Sequence, residues 1–130
     1  MTHVEVFDPW LPFFDAAQPV SIEGVVDRGS EPFHVLVRQR HTQIVFRLQW
    51  DSRPHAYRNI DESYRLQLWR RFAPGTNPFW TVRHSIWLHE FRLEAGGACD
   101  ELALNHYAIF TDDDCLDILS TSPPNCSPAR

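Results

Sequence analysis

Ile44, Phe46, Leu48 and Trp50 alternate with Val45, Arg47 and Gln49. A period of two sends the first set to one face of an extended chain and the second set to the other. This run constrains the fold more than any other. A strand so patterned needs partner strands along its edges and an apolar layer over its greasy face.

Neighbouring segments supply the partners. Val20–Val26 follows Pro19 and reads as a strand, with Asp27-Arg28-Gly29-Ser30 as a turn behind it. Phe33, Val35 and Val37 then alternate with His34, Leu36 and Arg38. Three strands joined by short turns predict an antiparallel meander. Ahead of it, Trp10, Phe13 and Phe14 are too apolar for a free tail, and they are expected to pack across the sheet.

The pattern changes after Pro54. Asn59 can cap a helix, with Glu62 in the capping-box position three residues on. Ile60, Tyr64, Leu68 and Phe72 recur at helical spacing, which predicts a helix over 60–72 that ends before Pro74-Gly75. Tyr64, Leu66 and Leu68 also alternate, so a strand competes there. Phe79–Arg83 suits a further strand. Ser85 then serves as a second N-cap, with Trp87, Leu88 and Phe91 on one helical face and Gly96-Gly97 as the stop. A terminal hairpin follows: Asn105–Thr111, the turn Asp112-Asp113, and Asp114–Ser120. Ser122–Arg130 carries three prolines and reads as a disordered tail. The expected fold is a single α+β domain over residues 1–121. It has a mainly antiparallel sheet, about two helices on one face and a C-terminal hairpin. A chain of 130 residues, 43% hydrophobic, can bury such a core without disulfides or metals.

Charge is divided by segment. Residues 1–33 hold six acids and one arginine, 34–92 hold ten arginines and four acids, and 93–130 hold seven acids and one arginine. An overall charge of −5 argues against nucleic acid as partner. The simplest expectation is that the blocks neutralise one another across the sheet. No apolar run approaches the ~18 residues of a membrane helix. Met1–Trp10 lacks a basic start and contains Glu5 and Asp8, so the expected compartment is the cytoplasm. Cys99, Cys115 and Cys126 are odd in number and fit no zinc or redox spacing, as expected of reduced thiols.

The search for chemistry is mostly negative. His84, His89 and Glu90 miss the i, i+4 spacing of a helical zinc pair. His3, His34, His41 and His55 lie in separate segments. Asp112-Asp113-Asp114 with Asp117 lacks the alternate spacing and glycine of a calcium loop. No phosphate-binding glycine loop and no G-x-S-x-G is present. No catalytic residue, metal or cofactor is therefore expected. His106 beside the aspartates leaves a small acid–base enzyme or ligand-binding domain as an alternative.

Partner binding has two supports. Trp50, Trp69, Trp80, Trp87, Tyr57, Tyr64 and a dozen arginines are of the types that anchor interfaces. The acidic end block, with Asp100, Glu101, Asp112, Asp113, Asp114 and Asp117, supplies candidate partner-binding residues, provided the fold gathers them on one face. Exposed aromatics would also suit a self-associating protein, and a homodimer stays open.

Two stretches carry a resemblance. His55-Ala56-Tyr57-Arg58-Asn59-Ile60-Asp61-Glu62-Ser63-Tyr64-Arg65-Leu66 is similar to a segment of a group of small bacterial proteins of this size. So is His106-Tyr107-Ala108-Ile109-Phe110-Thr111-Asp112-Asp113-Asp114-Cys115-Leu116-Asp117-Ile118-Leu119. Ser85-Ile86-Trp87-Leu88 lies where that group places a short helix. Some members resemble immunity proteins of polymorphic or contact-dependent toxin systems. The resemblance implies a cytoplasmic inhibitor that occludes the active site of a cognate toxin protein. It assigns no individual binding residue.

Overall fold

The computed structural model describes residues 4–13 and 15–129. In chain order the elements are β1 (Val6–Pro9), β2 (Val20–Arg28), β3 (Glu31–Gln39), β4 (Val45–Gln49), β5 (Ala56–Asp61), α1 (Leu66–Arg71), β6 (Phe79–Arg83), α2 (Ile86–Ala95), β7 (Asn105–Phe110), β8 (Asp114–Ser120) and β9 (Asn125–Pro128). One sheet runs β2-β3-β4-β9 and the other β1-β6-β7-β8-β5. Every pairing is antiparallel. The fold is α+β, as the strand and helix patterns predict.

Alternation sorts the side chains into layers. Tyr107 and Ile109 of β7, with Leu116 and Ile118 of β8, meet Val35, Val37 and Leu48 of the other sheet, and Trp50 just after β4, in one core. The opposite face of β7 and β8 carries Ala108, Phe110 and Cys115, which pack with Leu68 of α1. Trp87 of α2 meets His106 on that same face, with ring centroids 5.3 Å apart. The five-stranded sheet is thus the middle layer, with the other sheet on one side and both helices on the other. The lead-in crosses the inter-sheet core as expected: Trp10 lies 5.3 Å from Tyr107, and Phe13 stacks on Phe46 at 4.0 Å. Phe14 lies outside the described residues.

Two expectations give way. The helix over 60–72 does not form as a unit. Residues 56–61 pair with β8, with Asn59 opposite Leu116 and Ile60 opposite Cys115. The ladder satisfies the backbone of this segment, which the helix would otherwise have done. Asn59 then reaches Asp114 at 3.3 Å instead of capping a helix. Asp61 is the capping residue, and its carboxylate accepts the Ser63 amide at 2.9 Å. A short 3-10 turn and the six-residue α1 follow.

The segment 122–130 is not a disordered tail throughout, because Asn125–Pro128 pairs with β4 as an edge strand. Prolines are tolerated at such an edge, where an amide is not needed on the open side.

The second helix forms as its signals predict. Ser85 accepts the Leu88 amide at 3.0 Å, and Gly96 closes the helix at φ 61°, a conformation that costs glycine little.

The charge blocks do meet. Arg83 pairs with Asp8 at 2.7 Å, Arg71 with Glu5 at 3.0 Å, Arg53 with Asp27 at 2.7 Å and Arg40 with Asp112 at 2.7 Å. The arginines of the middle block thus reach acids of both flanking blocks.

Candidate functional site

His106 is the second residue of β7 and sits opposite Leu119 of β8. Asp117 lies two residues along β8 and points to the same face, so the two side chains are diagonal neighbours. His106 Nε2 lies 2.7 Å from Asp117 Oδ1, and both residues are buried. The ionised carboxylate can only accept, so Nε2 carries the proton. His106 Nδ1 lies 2.7 Å from the Ser85 hydroxyl. The Ser85 oxygen in turn accepts the Leu88 amide. A continuous relay therefore links the cap of α2 to the centre of the sheet.

Asp117 Oδ2 holds two arginines. Arg58, directly opposite on β5, donates from Nε at 3.0 Å, and Arg65, just before α1, donates from Nη1 at 2.9 Å. Burial alone would push the Asp117 carboxyl up. The His106 hydrogen bond and the facing positive charges, those of Arg58 and Arg65 among them, outweigh it and hold the group below the usual carboxylate range.

Above this relay lies an open cleft of about 290 Å³ between α1 and the start of α2. Arg58, Arg65, His106 and Asp117 line its depth, with Trp87 on one wall. The Arg58 guanidinium sits 4.5 Å from the Trp87 ring centroid. Tyr64, Leu66 and Ile86 also line the cleft, and they are 81%, 57% and 38% exposed.

Ser85, His106 and Asp117 invite comparison with a nucleophilic triad, but the surroundings do not fit one. The serine oxygen is occupied as a helix cap. The Ile86 amide already donates to Glu5 at 2.8 Å, and the Leu88 amide donates to Ser85 itself. Neither amide is left to receive a developing oxyanion. The relay suits rigid positioning, and an exchangeable proton at His106, better than acyl transfer.

The six acidic candidates are not gathered together. Asp117 is 1% exposed and bound to His106, Arg58 and Arg65, so it is not a partner-binding surface residue. Asp112 and Asp113 are exposed at the β7–β8 turn with Asp114 half-buried beside them, and Asp112 is paired with Arg40. Asp100 and Glu101 are exposed before the start of β7. The six residues of that strand separate the two groups by roughly 20 Å.

Among the described residues, no group of three or more His, Cys, Asp or Glu side chains could hold a metal ion. No helix among them is long and apolar enough to cross a membrane. His41 meets Asp15 at 3.1 Å, buried His34 lies 3.0 Å from the Pro32 carbonyl, and His3 lies outside the described residues. The sequence reading missed Arg58, Arg65 and Ser85 as parts of one cluster, since they come from three separate segments.

Comparison with protein-family models, with curated proteins and with solved structures returns no match.

Proposed function

We propose that this chain is an immunity-type protein, a stoichiometric inhibitor that binds a cognate toxin in the cytoplasm and blocks its active site. The observation that carries the reading is the rim of the cleft. Tyr64 and Leu66 stand 81% and 57% exposed beside a recess lined by Arg58, Arg65 and Trp87. Tyrosine, tryptophan and arginine around a recess are the residue types that anchor protein interfaces. The occupied amides at the start of α2 count against the rival reading of a serine nucleophile. The resemblance over 55–66 and 106–119 supports the same reading, and both stretches contribute to the cleft.

The test is co-expression with the product of the neighbouring gene. Stable co-purification and protection of cells from that product are expected. A folded sample that neither binds nor protects would overturn the proposal.

A second reading has one specific support. His106 and Asp117 line a cleft, so the pair could serve a small ligand as a proton donor or acceptor. Its mark would be a small ligand whose saturable binding shifts the His106 ring resonances.

A further inference from the structure

We propose that the cleft receives an acidic side chain, an aspartate or glutamate presented by the partner protein, against Arg58 and Arg65. This deepens the partner-binding reading and rests on it.

Two guanidinium groups face one carboxylate around Asp117, while the lining as a whole, with Glu5, Arg71 and Glu90, balances in charge. Arg58 and Arg65 both donate to the same oxygen, Asp117 Oδ2, while Oδ1 is taken by His106. One carboxylate therefore serves two guanidinium groups. Arg58 uses Nε alone and Arg65 uses Nη1 alone; their remaining N–H groups make no other hydrogen bond among the described residues. A guanidinium matches a carboxylate with two parallel N–H donors, and such charge-assisted pairs are the stronger kind.

The donors are also fixed in place. The Trp87 ring lies under Arg58, and the Arg65 side chain is only 12% exposed. Partial removal from water strengthens what these charges do to an incoming ion. Tyr64, Leu66 and Ile86 can cover the apolar stem of that side chain and exclude water. Two other acids line the cleft. Glu5 is held by Arg71 and the Ile86 amide, whereas exposed Glu90 forms no pair among the described residues and opposes an incoming anion. A chain with net charge −5 repels a polyanion, so one carboxylate on an apolar stem suits this recess better than a phosphate backbone.

The test uses the full chain and a small probe, the α-amide of N-acetylglutamate, with its glutamine counterpart as control. Binding is read from the side-chain N–H resonances of Arg58, Arg65 and Trp87. Saturable shifts at these groups with a millimolar dissociation constant are expected for the glutamate probe and none for the glutamine one. Arg65→Gln should abolish the response. Because Arg65 also holds Asp117, the surface variant Glu90→Lys is the second arm. It should tighten the glutamate probe by about three- to tenfold at low salt, and the gain should fall away at high salt. Equal responses to the two probes, no saturable response, or an unchanged affinity in Glu90→Lys would each overturn the inference. Toxin capture without a glutamate response sinks this inference alone. A glutamate response without toxin capture or protection sinks the immunity reading and leaves the recess an anion site.

Discussion

His106 Nε2 donates to Asp117 Oδ1 at 2.7 Å, on the diagonal of the β7–β8 ladder. The same carboxylate anchors Arg58 and Arg65, so one aspartate ties β5, β7, β8 and the start of α1 together. Removing it should be severe. Asp117→Ala is expected to cost about 3–5 kcal/mol, because a buried histidine and two arginines lose their partner at once. Unfolding in guanidinium chloride measures this; a change under 1 kcal/mol would mean the cluster is loosely held.

The same group sets an acid limit. The folded carboxyl of Asp117 lies below its ordinary value, near 3.9 in the unfolded chain. The unfolded state therefore binds the proton more readily. The contribution of Asp117 is fully present above about pH 4 and is lost as pH falls through the lower folded value. Stability measured from pH 7 down to pH 3 should drop at the acid end. In Asp117→Asn, if folded, that part of the slope should vanish.

Ser85 links the relay to α2. Ser85→Ala removes the cap of Leu88 and the partner of His106 Nδ1, and should cost about 1–2 kcal/mol. Thermal unfolding reads the loss. Toxin capture by the folded variant should be unchanged, whereas a serine nucleophile would make Ser85→Ala inactive.

The rim should behave in the opposite way. Tyr64→Ala and Leu66→Ser change side chains that are mostly in water, so stability should move by less than about 0.5 kcal/mol. Capture of the partner should weaken at least tenfold when both are changed. Undiminished capture would place the interface elsewhere.

The thiols should differ in reactivity. Burial pushes the Cys115 thiol up to about 12 and raises Cys126 as well. Cys115 is fully buried, so an aromatic disulfide reagent should reach it only on unfolding, whereas half-buried Cys126 should react slowly in the native protein.

Much of the architecture can be read from local pattern. The alternation at Ile44–Trp50 and the signals Ser85 and Gly96 act over a few residues, and their structures follow. The hairpin shows how far such reading extends. With Asp112-Asp113 as its turn, Thr111 stands beside Asp114, and counting back along both arms brings His106 level with Leu119 and next to Asp117 on one face. The register puts the two residues within reach, and the burial that makes Asp117 the partner of His106 comes from packing.

What the sequence by itself determined, then, is β2, β3, β4 and β6, the second helix and the C-terminal hairpin. Only the tertiary structure decided the remainder. The helical spacing of Ile60, Tyr64, Leu68 and Phe72 lost to the ladder that β8 offers β5, because a hydrogen-bonded partner strand outweighs a weak local preference. Asn125–Pro128 became a strand because β4 presents it an open edge. Arg58, Arg65, Ser85 and Trp87 come together only where β5, α1, α2 and the hairpin meet. Contacts between segments so far apart depend on packing, which no local period records.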